Sequence, residues 1–212
     1  CFQYAELKYR LTQKILIILN EKNIPYTILT KSHCISSESL GLIAQNPKNK
    51  IYFTLNVSND SMIKFLEEKT SFIAQRLEMI KRILEQNITL RIHIGPFIPY
   101  ISDLENIFKL LPKEIRELDI ELYHPKQGNW EQFQQNISLI SPESFQKIRE
   151  LFSNPKSHKK FCSELGQKII QCAQNYQFKG KIYYLKAELE SYYQNNMDYE
   201  KPFWEYEPNT IF

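Results

Sequence analysis

Glycine is scarce in this chain, with five residues among 212. Loops that cradle phosphate groups depend on closely spaced glycines, and no such loop follows any predicted strand. Long apolar runs are also missing: the longest, residues 15–19, has five residues, whereas a membrane-spanning helix needs about 20. The sequence therefore argues against a glycine-rich nucleotide loop and against a membrane partner.

Cysteine is sparse as well, with four residues at positions 1, 34, 162 and 172. Their spacing fits neither a zinc site nor a disulfide framework. We therefore expect a protein of the reducing cytoplasm, and we assign no metal ligand within the chain.

The charge of the chain is nearly balanced, with 27 basic and 24 acidic residues and a net charge of +3. This excess is too small to indicate nucleic-acid binding, which stays possible but unsupported. The length suits one hydrophobic core, with or without an appendage.

Four apolar, β-branched segments alternate with helical patterns between residues 11 and 124. The segments predicted as strands are 26–32, 50–56, 89–103 and 117–124. Short connections and this alternation indicate βα units around a parallel sheet or barrel. We therefore predict an α/β fold.

The pattern changes after Pro125. Helices are predicted from Ser141 and over residues 157–175, followed by a short strand at 181–185. The tail, 192–212, is polar and aromatic, and we expect it to wrap the surface or to be disordered. We divide the chain into residues 1–125, which carry the βα pattern, and 126–212, a helical extension with a tail.

Polar residues stand where the first three predicted strands end. Ligands of parallel α/β folds bind at the carboxyl ends of the strands, so these residues should converge on one site. The set comprises Thr30, Lys31, Ser32, Thr54, Asn56, Gly95 and Pro96.

The same segments resemble a known family. IPYTILTKS, IYFTLN, EEKTSFIAQRLEMIKRIL and RIHIGPFIPYISD, in this order, look like the spore photoproduct lyase-like (DNA repair photolyase-like) branch of the radical S-adenosylmethionine superfamily. FQYAE resembles that branch's D-x-x-Q-P-x-E stretch, with Tyr4 in place of the proline. The resemblance covers residues 2–125, and HPKQGNW extends it more weakly.

The resemblance implies a six-stranded partial (β/α) barrel. It also implies reductive cleavage of S-adenosylmethionine to a 5'-deoxyadenosyl radical, which abstracts hydrogen from a substrate that the sequence does not identify. A 4Fe-4S cluster and an electron donor such as flavodoxin or ferredoxin would be required.

The family's cluster motif, C-x-x-x-C-x-x-C, is absent from this sequence. We therefore expect a barrel truncated at its N-terminus with a C-terminal helical appendage: the later part of an enzyme whose cluster ligands lie upstream, inactive by itself. The alternative is a pseudo-enzyme or barrel fragment that serves as a binding module. An unrelated (β/α) protein with a phosphate ligand fits less well, because no glycine-rich loop follows a strand.

The resemblance also implies roles for individual residues. Lys31, flanked by Thr30 and Ser32, would bind the carboxylate or ribose of S-adenosylmethionine, although a strand-end lysine is otherwise usually just solvated. Thr54, with Asn56 two residues on, would bind the ribose or the methionine end; ordinary strand packing is equally expected.

Arg76 and Gln3 complete the expected site of nine residues: Arg76 would pair with the ligand carboxylate, and Gln3 would lie near the methionine amino group. Gly95-Pro96 would present backbone to the adenine. Outside this set, Glu68 matches a family glutamate before Arg76. No catalytic residue is assigned: His93 is expected to be a satisfied core histidine, and Cys34 a small buried residue.

Overall fold

The computed structural model describes residues 1–58, 60–67, 70–125, 130–185 and 203–206. In chain order the elements are α1 (Tyr4–Tyr9), α2 (Leu11–Glu21), β1 (Thr27–Thr30), α3 (Ser37–Ala44), β2 (Lys50–Thr54), α4 (Asp60–Leu66), α5 (Ile73–Glu85), β3 (Thr89–Phe97), α6 (Leu104–Leu110), β4 (Glu117–Leu122), α7 (Trp130–Ile140), α8 (Pro142–Ser153), α9 (Pro155–Asn175), β5 (Lys181–Leu185) and β6 (Phe203–Tyr206).

The six strands form one sheet in sequential order, β1 to β6. Strands β1 to β5 are parallel, and β6 pairs with β5 in the antiparallel direction. Sequential parallel strands joined by right-handed crossovers place their helices on one side of the sheet. The α/β class is confirmed, whereas the partial barrel remains a proposal.

One face of the sheet carries the main core. Alternate strand residues such as Ile51, Ile92 and Ile120 are fully buried there, against Ile80 of α5 and Ile107 of α6. The opposite face, called the polar face below, carries Tyr52, Thr54, Arg91, His93, Glu117, Asp119 and Tyr183. The strand period of two thus separates an apolar layer from a polar one.

Helix starts follow local capping chemistry. The Ser36 hydroxyl accepts from the backbone N–H of Ser39 at 3.1 Å and starts α3. Asp103 does the same for α6 through the N–H of Asn106 at 3.0 Å. Ser141 caps α8, whose first residue is Pro142. Each cap satisfies an N–H that has no partner within the helix.

The C-terminal part differs from the expected helical appendage. Helices α7 to α9 are followed by β5, which pairs with β4 in the same sheet, so the short strand predicted at 181–185 is confirmed. Helix α7 was not predicted. Most of the tail, like residues 126–129 of HPKQGNW, lies outside the described residues; within the tail, 203–206 form β6. The division at residue 125 stays a prediction.

The third strand is shorter than the sequence predicted. It ends at Phe97 rather than at 103, because the chain turns there into α6. In the part of the chain that the structure describes, no helix combines the length and apolarity that crossing a bilayer would need.

Candidate functional site

A cavity of about 780 Å³ lies at the carboxyl ends of β1, β2 and β3. Its volume falls within the range of roughly 300–1,000 Å³ that is typical of small-molecule sites. Seven of the nine residues predicted for the site line it: Gln3, Thr30, Lys31, Ser32, Thr54, Gly95 and Pro96. Their convergence at one place follows from parallel strands ending at the same edge.

The first residues of the chain form one wall of this cavity. The hydroxyl of Thr30 donates to the carbonyl of Cys1 at 3.4 Å, and the hydroxyl of Ser32 donates to the carbonyl of Phe2. The Phe2 side chain is buried in the main core. Thr30 and Ser32 therefore hold the wall in place as well as facing the cavity.

Arg76 and Asn56, the other two predicted residues, are buried and do not belong to the described lining of the cavity. Arg76 is fully buried and pairs with the carboxylate of Glu67. Asn56 donates to Glu67 Oε1 at 2.9 Å, and Lys31 Nζ lies 2.7 Å from the same oxygen. Arg76 also donates from Nε to the carbonyl of Ser71 at 2.9 Å. Glu67 is thus the centre of a buried network.

Burial by itself would raise the pKa of the Glu67 carboxyl. The charges of Arg76 and Lys31, with their hydrogen bonds, outweigh this effect and lower the pKa to about 2. Sequence reasoning chose Glu68, which lies outside the described residues, and missed its neighbour Glu67. Glu67 directly follows the last residue of α4, and its ion pair with Arg76 is a tertiary contact that no local sequence pattern predicts.

Lys31 is the cation of this network that reaches the cavity. Its side chain is 39% exposed, whereas that of Arg76 is wholly enclosed. Lys31, Arg76 and Glu67 together carry one net positive charge. Among the described residues that line the cavity, none is an aspartate or a glutamate. The site therefore favours an anionic ligand group.

A second polar cluster lies on the wall formed by the loop after β1. His33 Nδ1 is 2.8 Å from the hydroxyl of Ser71, and His33 Nε2 is 3.9 Å from the thiol of Cys34. The ring of Tyr4 packs edge-on against that of His33. Cys34 is half-buried and lines the cavity, so it is less enclosed than the sequence suggested.

His93 lines the cavity from the polar face of β3 and is not a plain core residue. Its Nδ1 lies 3.1 Å from Asp119 Oδ2, and its Nε2 lies 3.5 Å from Glu121 Oε2. The ring occupies the space that Gly95 leaves free, because a Cβ on Gly95 would stand 2.3 Å from Nε2. The alternation of Asp119 and Glu121 on β4 is the sequence signal that could have indicated this pair.

Arg91 fills the polar face one layer below His93, toward the amino ends of the strands. Its guanidinium lies 4.6 Å from the ring centre of Tyr52 and 4.1 Å from that of Tyr183. Its Nη2 is 2.6 Å from Glu117 Oε2. Stacking and ion pairing fix this cation between three strands, β2, β4 and β5.

The described residues do not fit an iron–sulfur cluster. Among them, no three His, Cys, Asp or Glu side chains come together as metal ligands. Only Cys1 and Cys34 line the cavity, while Cys162 and Cys172 are buried within α9. Cluster ligation requires several thiolates brought together, so no chemical step is derived through such a group.

Comparisons with known proteins add little to this geometry. No family model matches the chain, and no curated protein matches it. A solved structure that it resembles is SuiB of Streptococcus suis bound to S-adenosylmethionine, with 15% identity and a TM-score of 0.42. The match covers 66% of this chain and 33% of SuiB, so the chain spans about a third of that protein. A likeness at this level carries no argument about the site.

Proposed function

We propose that the cavity at the ends of β1, β2 and β3 binds S-adenosylmethionine. The observation that carries the proposal is the placement of Lys31, Ser32, Thr54 and Gly95-Pro96 around a cavity of about 780 Å³. The sequence resemblance to radical S-adenosylmethionine proteins rests on the same residues. Positively charged and neutral lining also suits a ligand that carries a carboxylate.

Lys31 is the residue that would hold the carboxylate. Glu67 fixes one side of its ammonium group at 2.7 Å, and the exposed remainder can pair with a ligand. A positioned ammonium loses less freedom on binding than a free one, which favours affinity. Thr54, buried at the end of β2, would offer its hydroxyl to the ribose or the methionine end.

Arg76 has a different part in this proposal from the one that the resemblance implies. Its charge is already paired with Glu67, and its side chain is enclosed. It would support binding indirectly, by holding the carboxylate that positions Lys31. Asn56 would act in the same way through Glu67.

The proposed activity of the intact protein is radical cleavage of S-adenosylmethionine. The cluster supplies that chemistry in the family, and its thiolates would have to come from outside the described residues. The second candidate is a binding module without catalysis, which the lack of a cluster site among the described residues favours. The two candidates are separated by anaerobic reconstitution of the intact protein with iron and sulfide, followed by an assay for 5'-deoxyadenosine. Formation of 5'-deoxyadenosine supports radical cleavage, and its absence supports a binding module.

Binding itself is tested by titration calorimetry with S-adenosylmethionine. Replacing Lys31 with methionine should weaken binding about 10-fold or more, because one charge-assisted bond is worth about 1.5–3 kcal/mol. The matched control is Lys81→Met, which removes an exposed lysine paired with Glu85 on α5. No measurable binding to the wild-type chain would refute the proposal, as would equal affinities of the two variants.

A further inference from the structure

The His93 side chain has a geometry that the proposed binding function does not use. It is 8% exposed, stands at the middle of β3, level with the last residue of β2, and lines the cavity. Thr54 is its register partner on β2, and Asp119 is its partner on β4. Three adjacent strands therefore fix the position of the imidazole ring.

Asp119 determines which ring nitrogen carries the proton. Its carboxylate oxygen can only accept, and it lies 3.1 Å from Nδ1. Glu121 Oε2 lies farther from Nε2, at 3.5 Å, so the shorter contact assigns the proton of the neutral ring to Nδ1 and the free electron pair to Nε2. An imidazole fixed by a carboxylate in this way is the arrangement that enzymes use to hold a base in the correct tautomer.

The Nε2 end of the ring packs over the backbone of Gly95, where a Cβ would stand 2.3 Å away, so the missing side chain makes room for the ring itself. Both residues line the cavity. Glu121 Oε2 is 3.5 Å from Nε2, and the Glu121 side chain is 44% exposed. A proton accepted by Nε2 would therefore meet a carboxylate that is open to solvent.

We propose that His93 is a general base of this cavity, held by Asp119, and that it accepts the proton of a hydroxyl or amine on a small anionic ligand. The O–H or N–H bond of the ligand breaks, and its electron pair stays on the ligand oxygen or nitrogen. The proton forms the new N–H bond at Nε2. The resulting imidazolium lies between Asp119 and Glu121, and Glu121 passes the proton to water.

The charge pattern of the cavity defines the substrate class. Lys31 supplies a cation at the rim, so the ligand carries a carboxylate or a similar anionic group. His93 lies beside Thr54 and Gly95 on the polar face. The ligand hydroxyl or amine that gives up its proton must therefore lie at the polar face as well. This inference goes beyond the proposed function and holds for any ligand with these two groups.

The first test is chemical labelling of the wild-type chain with diethyl pyrocarbonate, read by mass spectrometry. The internal control is His158, which is as buried as His93 (7% against 8% exposed) but packs on α9 against Phe152 and Cys162 and does not belong to the described lining of the cavity. His93 should label at least about tenfold faster, because the reagent reaches it through the cavity, whereas His158 reacts only after local opening, and about 1.4 kcal/mol of opening free energy lowers its reactive population tenfold. Equal or slower labelling of His93 would overturn the proposal.

The second test is the nitrogen NMR spectrum of the wild-type chain with ring-labelled histidine. Nδ1 should be the protonated nitrogen of His93 and Nε2 the bare one; a proton on Nε2 would overturn the proposal. In Asp119→Asn, whose amide can donate to Nδ1, the proton should shift to Nε2 and labelling of His93 should fall. A merely structural imidazole would show the same shift of the proton but no fall in labelling, because its Nε2 would not be open to the cavity. The wild-type readouts need no S-adenosylmethionine, so failure of the proposed function leaves them intact.

Discussion

Arg76 and Glu67 form an ion pair that is almost wholly buried. The Arg76 side chain is fully buried and that of Glu67 is 5% exposed. The pair joins the start of α5 to the end of α4, and through Lys31 it reaches the loop after β1. Lys31, Glu67 and Arg76 thus come from three separate segments of the chain. Loss of this ion-pair network would therefore loosen the packing of those segments against one another.

Replacing Glu67 with glutamine should destabilise the protein strongly. The buried guanidinium of Arg76 would lose its counter-charge, and breaking a buried pair in this way costs about 3–5 kcal/mol. The measurement is the free energy of unfolding from urea denaturation. Glu85→Gln, which breaks the exposed pair with Lys81, should cost less than about 1 kcal/mol. Similar losses in both variants would contradict the burial argument.

The Glu67 carboxyl should also make stability depend on pH in the acid range. Its pKa in the folded state is about 2, below the ordinary value of 4.5, so the carboxyl binds fewer protons in the folded state than in the unfolded state. Its contribution is present above pH 4.5 and is lost as the pH falls toward 2. Between pH 5 and pH 3 the loss should be about 2 kcal/mol.

The measurement that isolates this contribution is the difference between the wild-type chain and Glu67→Gln at the two pH values. Other carboxyl groups titrate in both proteins and cancel in the difference. If the variant loses as much stability as the wild type between pH 5 and pH 3, Glu67 does not carry the effect.

His158 should give a second, separate window. Burial, and secondarily the charge of His124, lowers the pKa of His158 to about 4 from 6.5. The folded state then binds fewer protons than the unfolded state, so stability falls as the pH drops from 6.5 toward 4. Between pH 7 and pH 5 this loss should be about 2 kcal/mol. His158→Gln should show a correspondingly smaller decline, and an unchanged decline would rule out this origin.

Gly95 and His93 should be energetically coupled. Gly95→Ala places a methyl group against the imidazole ring, which Asp119 holds, and overpacking of this kind costs about 1–3 kcal/mol. In a His93→Ala background the same change should cost much less, because the ring is gone. A double-mutant cycle measured by urea denaturation gives the coupling. If the losses of unfolding free energy in the two single variants add up to the loss in the double variant, the imidazole ring and Gly95 are not coupled.

The regular elements of the first 124 residues could largely be predicted from the sequence. Apolar runs such as 50–56, bounded by turn residues, indicate buried parallel strands. The strand at 181–185 shows the same pattern in shorter form. Helix α7 was missed, because its pattern of Trp130, Phe133 and Ile137 among glutamines resembles a polar loop and becomes a helix face only against Tyr123 and Phe152.

The site could be located but not assembled from the sequence. Strand ends converge by topology, which is why Thr30, Lys31 and Thr54 meet at one cavity. The sequence does not show which cation reaches the cavity, because this depends on side-chain packing. Lys31 lines the cavity, whereas Arg76 is enclosed and contacts only the internal carboxylate of Glu67 among the charged groups described. The alternation of Asp119 and Glu121 on β4 indicates acidic partners for a polar face, but pairing Asp119 with His93 required the register between β3 and β4.

The cation stack of Arg91, Tyr52 and Tyr183 has a kinetic consequence. It fills the polar face of the sheet one layer below His93, toward the amino ends of the strands. In the described part of the chain, a ligand beside His93 is therefore approached from the carboxyl ends of the strands. A bulky molecule bound at that end would slow the departure of one that lies beneath it.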